Sequence, residues 1–235
     1  MQNPIIVALD VPTAERALDL VRQLAGHVGA FKIGKELFTS AGPEIVRQVR
    51  ALGGPVFLDL KFHDIPNTVA RAVECAVRLD VQILTIHASG GRAMMQAAER
   101  AAQEAAGAAG RPAPLVLGVT VLTSLDDAAL AETGVEGGAA KQVERLAALA
   151  AAAGLRGLVC SPLELPALRR RLPRSVQLVT PGIRAPGAAA DDQKRTLAPQ
   201  AAVAAGADWL VIGRPICAAP DPRAAAEAIL ASLAG

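Results

Sequence analysis

Aromatic side chains are almost missing from this chain: it has no tyrosine, one tryptophan and four phenylalanines in 235 residues. No run of basic residues is interleaved with aromatics, and 24 basic against 22 acidic side chains leave a net charge of only +2. The footprint of a nucleic-acid-binding surface is therefore absent. Cysteine is equally scarce. Cys75, Cys160 and Cys217 are far apart, odd in number and without the paired spacing of a zinc or redox site. They read as small core residues in a reducing compartment, so a cytoplasmic location is expected. The three histidines lack metal-ligand spacing. No apolar stretch is long enough to span a bilayer, and the amino terminus enters an apolar strand at once, so neither a membrane anchor nor a secretory signal is expected. The first strand carries no G-x-G-x-x-G, which leaves dinucleotide binding without support. Without a composition break or a short-period repeat, residues 1–235 are expected to form a single domain.

Hydrophobic residues, by contrast, make up 52% of the sequence, enough for a large core at this length. Short β-branched runs alternate with helical segments. Strands are expected at 5–9, 30–34, from Val56, and at 83–86, 115–121, 157–160, 176–179 and 208–212. Helices are expected at about 14–25, from Gly42-Pro43 to Leu52, at 67–79, from Gly91, at 139–153 and at 222–233. The cluster Arg169, Arg170 and Arg171 reads as the solvated face of a helix. Eight strand-helix units predict an α/β fold, a closed (β/α)8 TIM barrel, with a doubly wound open sheet as the alternative. The barrel is favoured because polar and charged residues follow the carboxyl ends of nearly all strands, and in a barrel those ends converge on one mouth.

The stretch Val56 to Thr68 is the centre of this pattern. It begins as an apolar strand and then places Asp59, Lys61 and Asp64 within a few positions. Alternation along a strand points Asp59 and Lys61 to one face and Phe62 to the other. Pro66 suits the first turn of a helix, which leaves Asp64 in the turn before it. A second constellation closes the chain: Gly182 and Arg184 follow the seventh strand, and Gly213 and Arg214 follow the eighth. Glycine lets backbone N–H groups approach an anion, arginine offers a planar donor fork, and barrels often hold a phosphate at these two loops. A phosphorylated substrate is expected. Gln193 lies in the long loop after Arg184, where it could close over the ligand. At other strand ends Asp10 could accept from sugar hydroxyls, Lys32 could pair with the third strand's carboxylates, and Thr123 could bond a polar ring. Each has an ordinary alternative, as a helix cap for Asp10 and a loop hydroxyl for Thr123. His63 and His87 are not assigned to the site.

Read together, Asp59-Leu-Lys61-Phe-His-Asp64-Ile-Pro-Asn-Thr68 closely resembles the signature of the orotidine 5′-phosphate decarboxylases. The resemblance, to the bacterial branch, extends through Leu9-Asp10, Phe31-Lys32-Ile33-Gly34, Leu122-Thr123-Ser124, Thr180 to Arg184, Gln193 and Val211 to Pro215. It implies conversion of orotidine 5′-monophosphate to UMP and carbon dioxide, the last step of de novo UMP synthesis, with no cofactor and no metal. Lys61 would protonate C6 of the pyrimidine, Asp59 would lie against the substrate carboxylate, and Lys32 would orient the array and touch the ribose beside Asp10. Arg184, Gln193, Gly213 and Arg214 would hold the phosphate, and Thr123 the base. The resemblance also implies a homodimer in which catalytic Asp64 and substrate-binding Thr68 reach the partner subunit's site. Related barrels acting on keto-sugar phosphates share Asp-x-Lys-x-x-Asp but use an acidic residue at the second strand to hold magnesium. This chain has Lys32 there. Two rivals remain: a Lys61 Schiff-base aldolase, disfavoured because flanking carboxylates favour the ammonium over the nucleophilic amine, and a nucleotide-binding module without catalysis.

Overall fold

In the computed structural model, which describes residues 3–184 and 196–233, eight strands close on themselves. They are β1 (Ile5–Ala8), β2 (Ala30–Gly34), β3 (Val56–Phe62), β4 (Ile83–His87), β5 (Leu115–Val119), β6 (Gly157–Val159), β7 (Gln177–Thr180) and β8 (Trp209–Ile212). Each pairs in parallel with its neighbours in sequence, and β8 returns to β1. Parallel neighbours need a crossover, and helices supply it. These are α1 (Ala14–Leu24), α2 (Lys35–Ala41), α3 (Glu44–Ala51), α4 (Pro66–Arg78), α5 (Gly91–Ala108), α6 (Asp127–Glu132), α7 (Gly138–Ala152), α8 (Leu165–Arg171), α9 (Pro199–Ala204), α10 (Arg214–Cys217) and α11 (Pro222–Ser232).

The period of two divides each strand between two cores. Ile6, Ala8, Ala30, Phe57, Ile83, Leu117, Val179 and Val211 fill the barrel interior. Their neighbours Ile5, Val7, Phe31, Ile33, Val56, Leu58, Leu84 and Ile86 face outward and pack under the helices in the larger cluster. Both faces are buried, which is why the strands read as continuous apolar runs. The interior set stops being apolar at the carboxyl ends, where continuing the same alternation reaches Asp10, Lys32, Asp59 and Lys61. The open-sheet alternative is thereby replaced by the closed barrel.

Local chemistry accounts for the helix boundaries. The Thr13 side chain accepts from the Arg16 N–H and starts α1, and Pro66 occupies the first turn of α4. Helices α2, α6, α9 and α10 were not anticipated. The helix expected from Gly42-Pro43 to Leu52 is α3, and α2 precedes it as an additional helix that ends at Gly42, φ +67°. Asp126 caps α6 by accepting from the Ala129 N–H, within a segment read as merely polar. The arginine cluster in α8 also differs from expectation. Arg170 and Arg171 are exposed, but the Arg169 side chain is only 7% exposed. It pairs with Asp208 and donates to the carbonyls of Gly206 and Val176, both 2.8 Å away, tying α8 to the segments entering β7 and β8. At the same end of the barrel Arg50 and Arg111 grip opposite oxygens of Asp80 at 2.8 and 2.9 Å. The amino-terminal rim is thus fastened by arginines, and the carboxyl-terminal rim is left for the site.

Candidate active site

A cavity of about 860 Å³ opens at the carboxyl ends of the strands. Its floor is the apolar interior, including Ala8, Phe57 and Val211, joined by Val119 and Val159. Of the residues singled out from sequence, Asp10, Lys32, Asp59, Lys61, Thr123, Arg184, Gly213 and Arg214 all line it. The residues come from six different strand ends. No sequence-local feature could assemble them, but closure of the sheet does.

Four of them form a row of alternating charge. The Lys32 ammonium donates to Asp10 Oδ1 at 2.8 Å and stands 3.8 Å from Asp59 Oδ2. Lys61 Nζ donates to Asp59 Oδ1 at 2.8 Å. At an effective dielectric of about 20, the Lys61–Asp59 and Lys32–Asp59 attractions are about 6 and about 4 kcal/mol. The Asp59 side chain is 14% exposed. Its burial is the largest influence on it and pushes its pKa up; Lys32, Lys61 and the hydrogen bonds from Lys61 and Thr85 together outweigh burial and hold it below 3.8. Asp59 is an ionised carboxylate on a largely apolar floor.

The backbone at Lys61 departs from simple alternation. Leu58 pairs with Leu84 and Phe62 with Ile86, so Asp59, Leu60 and Lys61 stand opposite the single residue Thr85. Lys61 takes φ +53°, in the left-handed region. This bulge ends the ladder and turns the chain toward the loop. Lys61 still enters the cavity beside Asp59, and Phe62 packs outward as expected. Thr85 is fully buried; its hydroxyl accepts from the Lys61 N–H at 2.9 Å and donates to Asp59 Oδ1 at 3.0 Å. Thr85 was missed in the sequence. The available signal was a hydroxyl at the inward position of an otherwise apolar strand, Ile83 to Ile86.

The arginine-bearing loops follow β7 and β8, and β8 adjoins β1 at the Asp10 end of the charged row. Gly182 at φ +81° lets the chain turn out of β7. The Arg184 N–H donates to the Leu197 carbonyl at 3.0 Å and the Leu197 N–H to the Gly182 carbonyl at 3.1 Å, which pins together the two ends of the segment carrying Gln193. Gln193 itself lies outside the described residues. Asp64 and Thr68 are exposed and lie outside the cavity of their own chain. Asp64 Oδ1 accepts from the Ile65 N–H at 2.6 Å, and the Ile65 side chain beside it is 66% exposed. His63 and His87 pack against each other in a tilted arrangement, ring centroids 5.4 Å apart and planes at 41°. Burial, followed by the charges of His63, Lys61 and Lys35, lowers the pKa of His87 and favours its neutral form. Among the described residues, no three His, Cys, Asp or Glu side chains are grouped as metal ligands, and no helix is long and apolar enough to cross a membrane.

The model of the orotidine 5′-phosphate decarboxylase / HUMPS family matches residues 3–229. The chain belongs to this family. Within the orotidine 5′-phosphate decarboxylase / HUMPS family it is 54% identical over 233 residues to the orotidine 5′-phosphate decarboxylase of Opitutus terrae, with 99% of each chain covered. It is 53% identical to that of Moorella thermoacetica, covering 99% of this chain and 92% of the relative. Among solved structures, the crystal structure of orotidine 5′-phosphate decarboxylase from Lactobacillus acidophilus superposes with a TM-score of 0.89 at 36% identity, covering 99% of this chain and 100% of that one. Such barrels are the family's fold.

Proposed function

We propose that the whole chain works as one catalytic domain that decarboxylates orotidine 5′-monophosphate to UMP and carbon dioxide without a cofactor, the closing step of UMP biosynthesis. The observation that carries this reading is the row Asp10, Lys32, Asp59, Lys61 on an apolar floor, sharing one cavity with two arginine-bearing loops. The loops of Arg184, Gly213 and Arg214, with Gln193, take the phosphate; Asp10 and Lys32 take the ribose; Thr123 contacts the base. This orientation sets the substrate carboxylate beside Asp59. The C6–carboxylate bond breaks, carbon dioxide leaves, and the electron pair remaining on C6 takes a proton from Lys61 Nζ. Repulsion between Asp59 and the substrate carboxylate is relieved as the carboxylate departs, while the growing negative charge at C6 gains attraction to Lys61. Binding energy from the distant phosphate offsets the cost of that repulsion.

Lys32 also separates this chemistry from the metal-dependent keto-sugar phosphate reactions of similar barrels, because an ammonium occupies the place of their acidic ligand. A homodimer follows from the exposed stretch His63 to Thr68. Asp64, Thr68 and Ile65 are exposed and lie outside their own chain's cavity, which supports a homodimer in which Asp64 and Thr68 reach the partner subunit's site. The reading is of a cytoplasmic enzyme with neither nucleic-acid nor membrane partners. The test is the ultraviolet absorbance of orotidine 5′-monophosphate mixed with purified protein in EDTA, with Lys61→Ala in parallel. Loss of the orotate band in the wild type only is the expected outcome; an unchanged band with folded, dimeric wild type refutes the activity.

A further inference from the structure

We propose that Thr85 is a positioning residue for the decarboxylation: its hydroxyl closes a ring that holds the Lys61 ammonium and the Asp59 carboxylate in their working geometry. The inference rests on Lys61 as the proton donor. The ring runs from the Lys61 N–H to Thr85 Oγ1 at 2.9 Å, from that hydroxyl to Asp59 Oδ1 at 3.0 Å, and back through Lys61 Nζ to the same oxygen at 2.8 Å. Its directions are fixed. A carboxylate only accepts, so the hydroxyl proton must point at Asp59, and the oxygen's lone pair is then free to receive the Lys61 N–H. Both ends of Lys61 are thereby referred to one oxygen of Asp59.

The backbone explains why such a tie is needed. Three residues of β3 face one of β4 at this point, so the ladder supplies no carbonyl for the Lys61 N–H. A buried backbone donor needs a partner, and the Thr85 side chain replaces the missing one. Lys61 is also held at φ +53°, a conformation that a lysine adopts only when its surroundings over-determine it. Thr85 is 0% exposed, so water cannot substitute for its hydroxyl. Because it does not line the cavity, its loss should act through Lys61 and Asp59 and leave phosphate and ribose contacts in place.

The test compares Thr85→Val, Thr85→Ala and Thr85→Ser, with kcat, KM and UMP binding measured on dimeric protein and Lys61→Ala run beside them. Valine keeps the shape and loses the hydroxyl; serine and alanine both lose the methyl and differ only in the hydroxyl. The expected result is a fall in kcat of roughly 10- to 100-fold for Val and Ala, with KM and UMP affinity within about 3-fold of wild type, and recovery of most of kcat in Ser. Should Val fail to fold, the Ser and Ala pair alone decides. Equal kcat in Ser and Ala, or a rise in KM at unchanged kcat, overturns the positioning role. An active Lys61→Ala instead overturns the proton-donor reading on which it rests.

Discussion

Replacing Lys32 by methionine removes one of the two cations beside Asp59 while keeping the length of the side chain. The Lys32 ammonium is 3.8 Å from Asp59 Oδ2, and the two side chains are 10% and 14% exposed. At an effective dielectric of about 20 this attraction is about 4 kcal/mol, an upper bound because water at the cavity mouth screens it. Burial is already the largest influence on Asp59 and acts upward. Without Lys32, the Lys61 charge and the hydrogen bonds must oppose burial alone, and the pKa of Asp59 rises. The sign follows directly. Asp59 works ionised, so activity is complete above its pKa and disappears as pH falls through it. The acid limb of kcat/KM, followed by loss of the orotate band on folded protein, therefore moves to higher pH in Lys32→Met. Lys32 is also the proposed ribose contact, so KM is expected to rise, and the position of the limb, not the size of the rate loss, is the readout. Asp10→Asn is the control: it releases the far side of Lys32 but leaves the cation near Asp59, and its acid limb should remain with the wild type. Coincident acid limbs in wild type and Lys32→Met would refute the idea that Lys32 keeps Asp59 ionised.

At the opposite rim, Arg169→Ala should destabilise the fold by about 2–3 kcal/mol in urea titration, because it removes the cation beside Asp208, leaving that carboxylate only the Leu178 N–H, and the donor to two carbonyls, while KM stays at its wild-type value. Burial raises the thiol of Cys160 to about 12 and that of Cys217 to about 11, so iodoacetamide at mildly alkaline pH should leave both unmodified in folded protein and label both in urea, as read by mass spectrometry. Mixing Lys61→Ala and Asp64→Ala subunits under exchange should restore about a quarter of wild-type activity, since half the dimers would be mixed and one of their two sites intact. Recovery of no activity would place Asp64 in its own chain's site.

Much of the barrel was legible because burial on both faces makes its strands continuous apolar runs, as in Ile5 to Ala8 and Val56 to Leu58. The charged row was legible for the converse reason: a lysine or aspartate ending such a run needs a partner. The short helices were less so. α2 and α6 carry few buried positions, so periodicity over six or seven residues has little to report. The arginine cluster misled because its composition suits a solvated helix, whereas the partner of Arg169 lies 39 residues away.

Alternation along each strand determined which side chains enter the barrel, since that depends only on the period of two within one segment. The Asp59 to Thr68 motif determined the family resemblance in the same local way. What the tertiary structure decided is distance and registry between segments: the 3.8 Å from Lys32 to Asp59, the bulge that turns Lys61 left-handed, and the Thr85 hydroxyl beneath it. These depend on how neighbouring strands slide against one another when the sheet closes. A strand's own residues do not encode that offset, because it is settled by the packing of all eight together.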